Sequence, residues 1–198
     1  MRMRRAAALA ASIVLSISTL HLVPAHAWNQ STFGALALGS NGTETIVSIA
    51  TDTSGNIYVT GTLDGSFDVD PSPTSTVTLT RIAGVDIWIA KFNSSGEFIW
   101  GKVVGGTDGD LPYGIDVDSA GSAYVVGTFA STADFDPSAG TANLTSQGNN
   151  DNIILKLTTD GNFAWVKQVG GINEERATGV TVDSADNVLV TGFFSGTV

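Results

Sequence analysis

Short runs rich in Val, Ile, Thr and Tyr, each closed by a turn sequence, recur along the chain. Thr45 to Thr51 and Asn56 to Thr62 flank Asp52-Thr-Ser-Gly55, and two such runs around a short polar break predict an antiparallel hairpin. In that turn Asp52 can accept backbone N–H groups two or three residues on, and Gly55 can supply positive φ, a structural role for both. A second hairpin is predicted from Asp86 to Phe92 and Phe98 to Val104 around Asn93-Ser-Ser-Gly96. Its strand Ile87-Trp-Ile-Ala-Lys-Phe92 is mostly apolar on both faces, which suits a sheet covered on two sides. One unit of the pattern is therefore a pair of hairpins, forming a four-stranded antiparallel sheet.

The unit repeats. Asp52 to Gly61 is matched by Asp118 to Gly127 and Asp183 to Gly192, a period of roughly 65 residues. The second hairpin returns as Asn152 to Leu157, turn Thr158-Thr-Asp-Gly161, then Phe163 to Val169. Trp28, Trp100 and Trp165 open matching segments. The expected organisation is an orphan strand over 28–39, copies over about 44–106 and 110–171, and a partial copy over 175–198. The orphan strand fits a ring in which it completes the last sheet, and equally a frayed terminal strand. The expected core comprises Ile57, Val59, Ile87, Ile89, Ile99, Tyr124, Val126, Ile153, Leu155 and Val180, with Trp100 and Trp165 between sheets.

Between the hairpins of each copy runs a polar connection, Asp64 to Gly84 and Ala130 to Asn150, longer than most loops and so either functional or partly structured. Thr-rich stretches at Thr76 to Leu79 and Thr141 to Leu144 are candidates for short edge strands. Asp68-Val-Asp70-Pro71 and Asp134-Phe-Asp136-Pro137 are the candidate metal residues, because hard carboxylate oxygens at short spacing suit Ca²⁺. The competing expectation is a rigid turn capped by its own carboxylates. Asp108-Gly-Asp110 is a weaker candidate, since Asn173-Glu-Glu175 stands in its place in the next copy with what reads as different spacing.

The first residues change what chemistry is available. Arg2, Arg4 and Arg5, the apolar run Ala6 to Leu20 and Ala25-His26-Ala27 have the order of a secretory signal peptide over 1–27. Cleavage before Trp28 leaves a chain without His or Cys, with six basic against nineteen acidic side chains and a net charge of −13. That composition excludes disulfides, thiolate or imidazole metal sites and Ser-His or Cys-His nucleophile pairs. It also argues against nucleic acid and anionic membranes as partners after cleavage. Asn-x-Ser/Thr sequons at Asn29, Asn41, Asn93 and Asn143 occur at a frequency that chance explains.

Four sub-motifs in fixed order, Val117-Asp-Ser-Ala-Gly-Ser-Ala-Tyr-Val-Val-Gly-Thr-Phe129, Asp134-Phe-Asp-Pro137, Asp151-Asn-Ile-Ile-Leu-Lys-Leu157 and Gly161-Asn-Phe-Ala-Trp-Val-Lys-Gln-Val-Gly-Gly171, resemble the SBBP-type β-propeller repeat of exported bacterial proteins. The resemblance covers nearly all of 28–198. It implies an all-β, incomplete β-propeller of four-stranded blades in an exported protein (extracellular, cell-surface or periplasmic), and it implies no particular activity. The first hairpin is also similar to the NHL repeat, at a longer period and without a basic residue after Val-Thr-Gly. Gly96-Glu-Phe-Ile-Trp100 and Gly161-Asn-Phe-Ala-Trp165 look like the docking element of quinoprotein propellers, which implies that each Trp packs between blades. The function expected is a non-catalytic module that binds a protein or glycan or holds other domains, with no catalytic residue and no cofactor beyond calcium. The alternative is a carbohydrate-active propeller, a glycoside hydrolase or lyase using carboxylate pairs. About two and a half copies fall short of the ~4 to 8 blades of a ring. Further blades in a longer chain, or self-association through terminal blades, are the expected consequence, with aggregation or partial unfolding of the product alone.

Overall fold

A computed structural model describes residues 43–173 and 175–195. The signal-like segment, the strand expected over 28–39 and the sequons at Asn29 and Asn41 lie outside the described residues. In chain order the strands are β1 (Thr43–Thr51), β2 (Ile57–Asp64), β3 (Ser66–Asp68), β4 (Thr78–Thr80), β5 (Asp86–Phe92), β6 (Phe98–Gly106) and β7 (Leu111–Val117). They continue as β8 (Ala123–Phe129), β9 (Thr132–Asp134), β10 (Asn143–Thr145), β11 (Asp151–Leu157), β12 (Phe163–Val169), β13 (Glu175–Val182) and β14 (Val188–Phe194).

The first blade has the order β1-β2-β5-β6, the second the order β7-β8-β11-β12, and β13-β14 begins a third. All these pairings are antiparallel. β7 packs between β1 and β13, so the first strands of successive blades lie side by side. This is the architecture of an incomplete β-propeller: among the described residues the blades do not close a ring.

The long connections fold as hairpins of their own, β3-β4 and β9-β10, more structure than a single edge strand. The second of them reaches back to the preceding blade. Gly105 pairs with Asp134 and Gly106 with Ala133, so β9 continues the first sheet beyond its outermost strand β6.

Local irregularities recur with the repeat. β1, β7 and β13 each carry a bulge, between Ile46 and Ser48, Pro112 and Gly114, and Ala177 and Gly179. The β5-β6 and β11-β12 pairs slip by a residue just before the hairpin turn. Features placed this regularly belong to the design of the blade.

The core has two parts. Between the blades, Tyr58, Ile87, Ile89, Trp100 and Val104 of the first meet Ile115, Val125, Phe129, Phe135, Ile153 and Leu155 of the second. On the other face of the first blade, Val59, Leu63, Trp88, Ala90 and Phe92 are covered by Phe67, Val69 and Leu79 of its own hairpin. Of the expected core, Val59, Ile87, Ile89, Tyr124, Val126, Ile153 and Leu155 are buried, while Ile57 and Val180 are half-buried. Ile99 is 46% exposed, a correction to the sequence expectation. The ladder passes from Phe98 to Trp100, opposite Phe92 and Lys91, and Ile99 is the bulged residue with no partner across the strand.

Candidate functional site

The Asp-x-Asp-Pro residues sit at the tips of the two connecting hairpins. Asp68 Oδ1 accepts the N–H groups of Asp70 and Val77 at 3.0 and 2.9 Å, and Asp134 Oδ1 accepts those of Asp136 and Ala142 at 3.0 and 2.8 Å. Asp70 accepts the N–H of Ser72 at 2.9 Å and the hydroxyl of Ser75, and Asp136 accepts both the N–H and the hydroxyl of Ser138. Each first carboxylate therefore ties the two arms of its hairpin together, and each second one caps the turn made by the following Pro and Ser.

The second of these tips borders an open groove of about 500 Å³. One wall is β4, with Thr78, Leu79 and Thr80, the floor is Gly101 to Val103 of β6, and the other wall is Asp134 to Ser138. Leu79 can lie on the strand because Gly101 has no side chain; an added Cβ would stand 3.2 Å from both its methyl carbons. The groove offers threonine hydroxyls, the Lys102 side chain and two carboxylates around a narrow apolar base. Asp134 and Asp136 both line it, whereas Asp68 and Asp70 do not.

A second constellation holds one blade to the next. Tyr58 donates to the Gly121 carbonyl at 2.8 Å, Trp100 Nε1 donates to the Thr159 carbonyl at 3.0 Å, and Lys91 Nζ meets Thr159 at its carbonyl and hydroxyl. The indole of Trp100 rests on Gly161 (φ 74°), where an added Cβ would come within 2.8 Å of the ring. Trp100 thus packs between blades. Trp165 repeats its contact with a tyrosine, Tyr124 at 6.0 Å where Trp100 has Tyr58 at 6.2 Å, and is half-buried.

The turn aspartates anchor the same end of the blades. Asp118 Oδ1 accepts the N–H groups of Ala120 and Ser122, and Oδ2 accepts from Tyr124 and from Lys156, each at 3.0 Å. Burial works against the charged carboxylate, but the Ser122 N–H, Lys156 and Tyr124 together outweigh it and hold Asp118 below its ordinary pKa. The Tyr124 hydroxyl, against desolvation and with help from Asp118, holds Lys156 above its own.

At the opposite end of the blades lies a feature that sequence reasoning undervalued. Asp86 and Asp110, fully buried, meet beside Gly105 between the first and second blades. Asp151 and Glu175, also fully buried, occupy the same repeat positions between the second and third. Gly106 donates its N–H to Asp110 at 2.7 Å, and Gly171 donates to Glu175 at 3.0 Å. The spacing from glycine to acid is therefore the same in both copies, and the apparent difference between Asp108-Gly-Asp110 and Asn173-Glu-Glu175 is corrected: Glu175 stands where Asp110 does, four residues after its glycine. Burial, reinforced by the charges of Asp86 and Asp108 and opposed by the Gly106 and Ala130 N–H groups, pushes Asp110 up to about 7. Burial raises Asp86 as well, although the N–H groups of Ile82, Ala83 and Gly106 and the charge of Arg81 oppose it. Among the described residues no three His, Cys, Asp or Glu side chains converge as a metal cage, and no helix is long and apolar enough to cross a membrane.

Comparison with known proteins bears on this architecture. The β-propeller repeat family SBBP matches residues 34–68. The chain is 28% identical over 155 residues, 74% of its length, to "Uncharacterized WD repeat-containing protein L264" of Acanthamoeba polyphaga mimivirus, covering 11% of that protein. It is 25% identical over 147 residues, 72% of its length, to "Regulatory protein FlaEY" of Caulobacter vibrioides, covering 14% of it. The chain therefore spans little more than a tenth of the curated relatives it matches. Strand order, recurring register and the matched repeat agree that the described residues are propeller blades, with a repeat of the SBBP kind at residues 34–68.

Proposed function

We propose that the chain is a non-catalytic binding or scaffolding module of an exported protein, taking a protein or glycan partner on the outer rim of its blades. The observation that carries this reading is the open groove between β4 and the Asp134–Ser138 tip. Its hydroxyls, one lysine and two carboxylates suit a polar, extended ligand, and loops held on a rigid sheet scaffold are where recognition residues collect. A relative described as a WD repeat-containing protein and one described as regulatory are compatible with a scaffold role. Export rests on the order of charged, apolar and small residues over 1–27. The carboxylates in the groove cap their own turn, which favours binding over acid-base chemistry at this site.

The test is a glycan and peptide array probed with the wild-type chain and a Lys102→Ala/Thr80→Ala variant, beside a panel of glycosidase and lyase substrates. Saturable binding that the variant loses, without turnover, supports the reading. Turnover abolished by Asp134→Asn or Asp136→Asn would establish the carbohydrate-active alternative instead. Calcium at Asp68/Asp70 and Asp134/Asp136 would stiffen the same rim, and it is separated from the site below by the variants named there.

A further inference from the structure

The four buried side-chain atoms that lack a hydrogen-bond partner among the described residues are all carboxylate oxygens, Asp86 Oδ1, Asp110 Oδ1, Asp151 Oδ1 and Glu175 Oε1. They fall on just two repeat positions, one pair at each interface between successive blades. Chance does not place orphaned oxygens this way, and leaving a buried carboxylate oxygen without a partner is strongly unfavourable.

In each pair the other oxygen is already in use. Asp86 Oδ2 accepts the N–H groups of Ile82 and Ala83, and Asp110 Oδ2 that of Gly106. Asp151 Oδ2 accepts from Gln147 and Gln168, and Glu175 Oε2 from Gly171. The backbone thus fixes both carboxylates and leaves one oxygen of each without a partner.

Glycine is required beside them, because the carboxylates fill the place where a side chain would stand. Gly105 has φ 154°, and a Cβ there would overlap Asp86 Oδ1 and lie 2.6 Å from Asp110 Oδ2. Gly170 stands likewise against Asp151. Arg81 is hydrogen-bonded to Asp64 and to the Gly84 carbonyl, and it reaches Asp86 through its charge.

We propose that each interface between successive blades holds a divalent, oxygen-seeking cation of the Ca²⁺ type, bound by Asp86 and Asp110 at the first and by Asp151 and Glu175 at the second. Such a cation takes carboxylate and carbonyl oxygens and water, and it tolerates the change from Asp to Glu because its geometry is flexible. It bridges the start of the third strand of one blade to the start of the first strand of the next, and so fastens neighbours together. Glu44, at the start of β1, holds the repeat position that Asp110 and Glu175 occupy in the later copies.

The test is calorimetric titration of the chelator-stripped full chain with CaCl₂ at pH 7.5, with thermal unfolding followed by circular dichroism. The expected result is one ion bound per acid pair and a melting midpoint raised by several degrees. Glu175→Gln and Asp110→Asn each remove one ion, and Asp134→Asn/Asp136→Asn removes neither. Should Asp110→Asn fail to fold, Glu175→Gln at the second interface decides alone. Absence of heat and of a thermal shift in the wild type overturns the proposal, as does an unchanged stoichiometry in Glu175→Gln. A metal-free chain that Asp110→Asn stabilises while Ca²⁺ does nothing shows a proton-sharing acid pair instead, and equally overturns it.

Discussion

At the residue scale, the turn aspartates show how one side chain organises both its own turn and a contact between strands. Asp118 holds two backbone N–H groups on one oxygen and joins Tyr124 and Lys156 through the other, and the Lys156 ammonium also lies 4.7 Å from the Tyr124 ring centre. Its folded pKa lies below the unfolded value, so its stabilisation is complete above about pH 4 and disappears as pH falls through the lower folded value. We expect Asp118→Asn to lower stability at pH 7 by about 2 kcal/mol, since Lys156 is left partly buried without its anion. The variant should also lose part of the acid-induced decline of the wild type. Urea unfolding at a series of pH values checks this, and parallel curves for the two proteins would assign the stabilisation elsewhere. The third copy departs from the pattern in an instructive way. Asp186 takes the place of the turn glycine at φ 61°, and its carboxylate accepts the N–H and hydroxyl of Ser119 in the preceding blade. A conformation unfavourable to most side chains is held there by an inter-blade contact that glycine cannot make.

At the scale of the element, the two tryptophans of the outer strands form an internal comparison. Trp100 is buried on the Thr158–Gly161 turn of the next blade, while Trp165 is half-buried and makes its ring contact with Tyr124 of its own blade. Trp100→Ala should cost about 3 to 5 kcal/mol and Trp165→Ala distinctly less. Gly161→Ala should approach the first, because the added methyl meets the indole and the residue must keep φ 74°. Denaturant midpoints measured by far-UV circular dichroism rank the three, and equal costs for Trp100 and Trp165 would show that the docking contact contributes little. The strands, their turns and the docking of Trp100 were legible in the sequence because each depends on local period and turn chemistry that return at a nearly constant spacing. What stayed hidden depends on register and on neighbours. Ile99 is apolar and lies in a strand, yet the slip opposite Lys91 and Phe92 turns it outward. The joining of β9 to β6 links Gly105 and Gly106 to Asp134 and Ala133 through backbone groups alone, with no side-chain signature to read. The acid pairs were obscured differently: a whole hairpin strand pair, β5-β6 or β11-β12, separates the two members in each copy, and the Asp-to-Glu change concealed the second one.

For the whole molecule, the same repeat position reads out whether a blade has a neighbour. Ile49 of β1 is 63% exposed, whereas Ile115, its counterpart in the flanked second blade, is 4% exposed. Ile46 in β1 and Leu189 and Phe193 in β14 are also largely exposed. Apolar side chains that are core where a neighbouring blade covers their face are surface where, among the described residues, none does, and contiguous exposed apolar surface drives association. The two surfaces belong to opposite ends of the blade array, so contact between them is head-to-tail, and a head-to-tail contact that does not close a ring can propagate. The described blades on their own are therefore expected to self-associate with rising concentration. Ile49→Asp should suppress association at little cost in stability, because the side chain is already largely in water. Ile115→Asp, at the same repeat position, should unfold the chain by leaving a charge in a packed interface. Sedimentation velocity across a hundredfold concentration range, paired with thermal unfolding, separates these outcomes. A wild-type chain that stays monomeric throughout, with a midpoint independent of concentration, would show that the exposed faces are tolerated without a partner.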